Sequence, residues 1–517
     1  MADANDDRRL ASLGIGGRLE EGAGRELVES AGRLEAGDAP ILDAGLHAAD
    51  MAHAIALVEA GVLPRDVGAR LVGLLLELRR VPQAERPADP LLGDAFANRE
   101  AWLAARDAEA AGWLCAGRAR REGTTTSYHM AVGERLLALG DALRIAGSRL
   151  VTLAETHVET LTLDYTYLQQ AQPTTLAHYL LAFAYPLLRD LDRLRACYER
   201  TNLCPAGVGG INGTRWALDR RRVAALLGFD DVVTHARDGM WQADQPVEVM
   251  SVVVAALLNL DRLAEDLQVW STAEFGLVEL ADRHARGSMV MPQKKNPYAL
   301  AFVRGTASAM IGRLASAAML GRTPSGQVDN RIFAYGDVPR SLDLATDTVR
   351  LMGAVLGGLA FDRERMARRA TQSFAQATDL AEALVTAAGL DYRSAHRVVG
   401  RAVGLAVERG LSLDGLTPEL LDEAAHTLLD RPLDVDAARV REALDATRAV
   451  AGRTGLGGAA PSAVREMLAD CTARLAGAAR WHAEASERLR AAADALDARA
   501  RELTANPHER VPRASLA

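Results

Sequence analysis

The chain has 517 residues, 49% of them apolar and 25% charged, with a formal net charge of −8. That length carries one to four domains and a large core, and the composition is that of an ordinary globular protein. Interspersed charge with an acidic excess argues against a nucleic-acid partner. The polar start MADANDDRRLASLG is unlike a signal peptide, and no apolar run reads as membrane-spanning. The four cysteines, Cys115, Cys197, Cys204 and Cys471, have neither zinc-site nor disulfide-framework spacing. They read as reduced thiols in a cytoplasmic protein without a metal.

Helical periodicity is nearly continuous and strand-like alternation scarce, so the fold reads as all-α. Residues 1–116 read as short helices and loops (GIGGRLEEGAGR, ERPADPLLGD), forming an N-terminal helical domain. Long helices follow over 125–163, over 173–201 with Pro173 in the first turn, over 245–281 and over 298–320. Helices of that length bury their apolar stripes only by packing lengthwise, within one chain or between several. They assign residues 117–369 to a central bundle. Short helices broken at GLDYRS, TPEL, RPLDVD and GLGGAAPS assign 370–480 to a small C-terminal domain. Residues 481–517 read as an Ala- and Arg-rich helix with a polar, disordered end.

Two breaks interrupt the bundle: CPAGVGGINGT (204–214) and GSMVMPQKKNP (287–297). The second carries Ser288 on a Gly/Pro-rich loop with two lysines. A hydroxyl on such a loop removes a proton only if backbone amides or nearby cations stabilise its alkoxide. Lys294 and Asn296 suit a carboxylate, one by charge and one by amide hydrogen bonds. On composition alone, a basic surface loop is the plainer alternative.

The spacing G-S-x-x-M-P-x-K-x-N-P resembles the signature of the fumarase/aspartase superfamily, and MPQKKNP resembles its argininosuccinate lyase branch. YLQQAQPTTLAHYLLAF (167–183) is similar to the second superfamily region and GRARREGTTTSYH (117–129) stands where the first belongs. AEDLQVWSTAEFGLVELAD (264–282), QATDLAEALV (376–385) and GLGGAAPSAVREML (455–468) also have counterparts, so the resemblance spans roughly residues 14–475. It implies a three-domain helical chain whose central bundles form the core of a homotetramer. Each active site then draws its regions from three subunits, without a cofactor, and acts on a small dicarboxylate. The implied reaction is anti elimination, usually releasing fumarate from a succinyl group.

Residue by residue, the resemblance makes Ser288 the base and Lys294, Asn296, Thr166 and Gln172 substrate ligands. The histidine that commonly serves the leaving group is here Tyr167. Its usual carboxylate partner falls on Ala301, so the pair is missing together. Tyr167 either donates the proton or only fills the histidine's space. Where the branch reads SRNDQ, this chain has Ala119-Arg120-Arg121-Glu122-Gly123, with Arg121 at the substrate-binding asparagine. Among Arg118, Arg120 and Arg121, one is expected to bind a substrate carboxylate and the others to form ion pairs. Of Thr124, Thr125 and Thr126, which begin a helix, one both caps it and meets substrate, with Thr125 the candidate. His129 and His178 read as structural. A serine of the family falls on Asp50, SDRD becomes Ala243-Asp244-Gln245-Pro246, and the segment 329–342 matches nothing closely.

The leading expectation is an argininosuccinate lyase-like β-elimination enzyme of specialised metabolism that cleaves the C–N bond of an N-substituted aspartate. The alternatives are argininosuccinate lyase itself, elimination of a stable anion such as nitrite, and a non-catalytic structural role like that of family members serving as lens proteins.

Overall fold

The computed structural model describes residues 18–240, 242–323 and 331–508. The polar end after residue 508 and residues 329 and 330, both singled out above, lie outside the described residues.

The N-terminal part is less broken than its glycines suggest. Helix α1 (Arg33–Glu59) runs 27 residues through Gly37, Pro40 and Gly45. The helical stretch Arg25–Glu59 is in fact long and apolar enough to cross a membrane by length and composition, contrary to the sequence expectation, but its apolar 18-residue window is 78% buried. It is a core helix, packed against α2 (Arg65–Arg80), α3 (Ala95–Ala104) and α4 (Arg120–Glu155).

The long helices form the bundle, with ends that differ from those expected. The first is α4, which stops at Glu155 rather than 163. The alternating, β-branched LTLDYT that follows forms strand β1 (Leu161–Thr166), paired antiparallel with β2 (Gln169–Thr175). Pro173 sits in β2, and α5 (Leu176–Thr201) starts three residues later, where Thr175 Oγ1 accepts the His178 amide at 3.1 Å. Helix α6 (Gln245–Trp270) ends before Gly276, whose φ of +58° turns the chain into β3 (Val278–Leu280). Strands β4 (Arg286–Gly287) and β5 (Lys295–Asn296) close the signature hairpin. Helix α7 (Tyr298–Leu320) matches its expected span, and α8 (Ile332–Leu356) is a further long helix despite Gly336 and Pro339. Strand β6 (Leu359–Phe361) returns to pair with β3. Helices α4, α5, α6, α7 and α8 pack along one another.

One apolar core runs from Ala39 to Met366 and continues in Val464–Leu503, crossing residue 116 without interruption. A separate core is built by α9 (Ala377–Ala387), α10 (Tyr392–Glu408), α11 (Pro418–Leu429) and α12 (Ala437–Ala443). The boundary placed at residue 480 falls inside a single helix, α13 (Pro461–Ala505). Ala, Leu and Arg propensity keeps it unbroken. It is docked to the N-terminal helices by Arg79 to Asp497, at 2.5 and 3.0 Å, and by Arg499 to Glu59 at 2.9 Å.

Candidate active site

The signature segment is a hairpin with two cross-strand pairs, Arg286 with Asn296 and Gly287 with Lys295. Directly opposed residues share a face and successive residues alternate. The two adjacent lysines therefore part company. Lys295 lies on the Gly287 face, where Nζ meets Glu279 at 2.8 Å and Asp282 at 2.7 Å. Lys294 is exposed and makes no ion pair among the described residues. Asn296 Nδ2 donates to the Arg286 carbonyl at 3.1 Å and fixes the hairpin's neck. Ser288 opens the loop, and its Oγ accepts backbone N–H groups from Met291 at 2.9 Å and Val290 at 3.2 Å. Two donors aimed at one hydroxyl oxygen favour its ionised form, the condition a serine base requires. Beyond it Met289 is fully exposed and Val290 86% exposed.

The hairpin β1–β2 carries the second region. Thr166 pairs with Gln169, leaving a two-residue turn of Tyr167 and Leu168 at φ +53° and +58°. Both central positions are left-handed, as in a type I′ turn, which favours Asn-Gly. Here both carry large side chains. Tyr167 is 98% exposed, so its own chain brings no other site residue to it. Thr166 and Gln172 are exposed on the same hairpin. Its base is held firmly. Arg453 Nη1 donates to the Pro173 carbonyl at 2.9 Å while Nη2 meets both Asp379 oxygens at 2.9 Å. His178 lies 3.0 Å from Thr174 Oγ1 and 3.1 Å from the Gly457 carbonyl, so it is structural in this chain.

In the first region the arginines have different duties. Arg118 is buried, 2.8 Å from Asp50. Asp50, at the family's serine position, also accepts Arg99 Nε at 2.9 Å and has no exposed surface. Arg121 faces Glu35 at 2.7 Å and Asp94 at 3.2 Å, with 12% of its side chain exposed. The position that the motif assigns to a substrate ligand is thus occupied by an arginine bound to its own chain's carboxylates. Arg120 pairs with Asp94 at a longer 3.3 Å and keeps 47% of its side chain exposed. Glu122 accepts the amides of Gly207 at 2.8 Å and Gly209 at 2.6 Å, tying the CPAGVGGINGT break to the start of α4. Gly209 needs its φ of +64°, and a Cβ there would lie 2.5 Å from the Gly213 carbonyl.

Thr125 is buried, with its hydroxyl 3.2 Å from both Tyr335 OH and Arg331 Nη1. A substrate touching Thr125 has to displace one of them. Arg331 also donates to the Met240 carbonyl at 2.7 Å, and Tyr128 OH donates to Gln245 Oε1 at 3.1 Å. Gln245, Arg331 and Tyr335, from the two segments that departed most from the family pattern, thus line the same buried polar cluster, joined by the Tyr128–Tyr335 ring contact, which the sequence did not reveal. His129 sits beside it with Nδ1 3.1 Å from the Thr201 carbonyl. Burial and then the Arg331 charge push its pKa down to about 4, so it stays neutral and serves packing. The sequence reading also missed Arg286, whose guanidinium carbon stacks 3.6 Å from the centre of the Tyr298 ring.

A long-helix bundle bearing this serine hairpin defines a lyase, and the comparisons agree. A lyase family model matches residues 81–312, and an argininosuccinate lyase C-terminal model matches 374–451. Argininosuccinate lyase of Methanothermobacter thermautotrophicus is 33% identical over 450 residues, 87% of this chain and 96% of the relative. That of Methanothrix thermoacetophila is 35% identical over 423 residues, 81% of this chain and 85% of the relative. The structure of EDDS lyase in complex with formate superposes with a TM-score of 0.86 at 30% identity, covering 95% of this chain and 98% of that one. A fumarate lyase from Mesorhizobium, 18% identical with a TM-score of 0.67, shares the fold. The chain belongs to the fumarase/aspartase superfamily, in its argininosuccinate lyase-like branch, and is a carbon–nitrogen lyase.

Proposed function

We propose that the chain eliminates an amine from an N-substituted aspartate, releasing fumarate, in specialised metabolism in the cytoplasm. The carrying observation is the pair of amides on Ser288 Oγ. In this reading the Ser288 alkoxide takes the Cβ proton. The electron pair left on Cβ is delocalised into the neighbouring carboxylate, and the loop amides with Lys294 and Asn296 hold that charge as it develops. The C–N bond then breaks, the double bond of fumarate forms, and the departing nitrogen takes the Tyr167 phenolic proton. Thr166, Gln172 and Arg120 bind the succinyl carboxylates, with Arg120 favoured over Arg121 because it has the weaker internal partner. Thr125 supports the site through Tyr335 and Arg331.

The working unit in this reading is a homotetramer. Tyr167, Met289 and Val290 are left almost bare by their own chain. On α7, the exposed residues Phe302, Gly305, Ala309, Gly312, Ser316 and Met319 recur at alternating spacings of three and four, the seam of a helix that packs against another chain. Light scattering should find four chains; an active monomer counts against shared sites. Fumarate absorbance with N-substituted aspartates tests the chemistry, and absence of fumarate from all of them refutes the reading. The names of the relatives favour a second reading, argininosuccinate lyase itself. Efficient cleavage of argininosuccinate selects it.

A further inference from the structure

On the reading just given, we infer that Arg286 recognises a carboxylate on the departing amine, so that the leaving group is a short amino acid. Arg286 opposes Asn296 in the ladder, on the face opposite to the Lys295 anchor. It stands two residues before Ser288, a span of about 7 Å in extended chain. Its guanidinium lies over the Tyr298 ring at 3.6 Å and meets no carboxylate among the described residues. Stacking holds the guanidinium plane in place and leaves its edge N–H groups free. That geometry suits a planar, bidentate acceptor.

Charge counting gives the acceptor's source. Among the described residues Lys294 and Arg286 carry no internal ion pair, and the ion pair of Arg120 to Asp94 is long, at 3.3 Å. The succinyl portion of the substrate supplies two carboxylates. The third cation is matched when the nitrogen substituent carries an anionic group close to the bond that breaks. Arginine, as the leaving group of argininosuccinate, holds its carboxylate at the far end of its chain. The span of about 7 Å between Arg286 and Ser288 suits a carboxylate one or two carbons from the nitrogen better than one at the end of a longer chain.

The reverse reaction provides the test, because addition to fumarate lets amines be compared directly. Glycine and β-alanine should add, and ethylamine and propylamine, which lack the carboxylate, should add at least roughly 10-fold less efficiently. Arg286→Gln should lower kcat/KM for the two amino acids by roughly 10–100-fold, mainly through KM, and leave the alkylamines unchanged. Arg286→Lys keeps the charge without the fork and should fall between. Tyr298→Phe keeps the stack and should behave as wild type, whereas Tyr298→Leu should lose roughly 3-fold for the amino acids alone. A wild type that adds alkylamines as well as amino acids overturns the inference and leaves the elimination reading standing. So does an Arg286→Gln loss that is equal for both amine classes, which marks a role in the shape of the loop. A wild type that adds no amine overturns both.

Discussion

The two hairpins that carry the candidate residues are built to opposite specifications. The Tyr167 hairpin has five ladder pairs, places Leu163 in a small apolar cluster with Ala370 and Ala375, and is clamped by Arg453 and His178. The Ser288 hairpin has two pairs, a solvent-exposed tip, and an anchor between Lys295 and two exposed carboxylates. Exposed ion pairs hold weakly, and segments with few buried contacts open at low cost. One hairpin is a strut and the other a hinged flap. In the proposed reaction the proton donor stays fixed while the base is delivered to it, which admits substrate before the site is complete.

Removing the base from the flap should have the largest effect. Ser288→Ala deletes one half-buried hydroxyl and no core contact. Turnover should fall by roughly 10²–10⁴-fold or more while the helical circular dichroism and assembly state stay those of the wild type. Retention of more than a few per cent of activity excludes Ser288 as the base. On the strut, Tyr167→Phe removes only the phenolic proton. It should slow basic amine leaving groups by roughly 10²–10⁴-fold and hardly touch anions that depart unaided. A neutral result with a basic amine would leave the ring as a space filler.

The anchors give smaller effects that separate a strut from a flap. Arg453→Ala leaves Asp379 without its main counterion in a site where burial already raises the carboxyl pKa and Arg453 lowers it. The pair is only partly buried, so breaking it should cost less than the about 3–5 kcal/mol of a fully buried one, but the melting temperature should still fall measurably. The penalty should shrink as pH drops through the raised pKa of Asp379, because protonation removes the uncompensated charge. Lys295→Ala should leave the melt unchanged and raise KM by less than about tenfold, with the difference fading in high salt. If Lys295→Ala destabilises the protein as much as Arg453→Ala, the contrast between the hairpins is lost.

Much of this was legible in the sequence, and the gaps have physical causes. Apolar periodicity located the bundle, and α7 matches its expected span, because an unbroken stripe leaves few alternatives. Helix α1 was not read as one long element; Pro40 and the glycines at 37 and 45 disfavour a helix, and tertiary packing keeps them in one. The strand after α4 was absorbed into a helix because Ala154, Val158 and Leu161 continue the helical spacing to the point where the alternation of LTLDYT begins. In the site, the spacing of Ser288, Lys294 and Asn296 was readable because one short loop holds all three. The commitments of Arg121 and Asp50 were not, since Glu35, Asp94 and Arg99 come from distant turns. Arg286 stayed unnoticed because register alone brings it onto the catalytic motif's face and over Tyr298.

The smallest predicted effect concerns backbone strain, which the two hairpins do not share. Leu168 sits at φ +58°, while none of the loop residues 288–294 has a positive φ. A left-handed conformation costs a side-chain-bearing residue about 1–2 kcal/mol. Glycine avoids that cost but adds about 0.5–1 kcal/mol of unfolded-state freedom. Leu168→Gly should therefore raise stability slightly, by about 0.5–1 kcal/mol. Val290→Gly in the flap has no strain to relieve and should be neutral or slightly destabilising. Activity adds the informative part. If the strain holds Tyr167 in its presented direction, Leu168→Gly should cost turnover while gaining stability, as expected where strain is maintained at a functional turn. Thermal melts of both variants beside fumarate release by Leu168→Gly decide it. A Leu168→Gly protein that is less stable than Val290→Gly would show that Leu168 is held by contacts with another subunit rather than by its own strained turn.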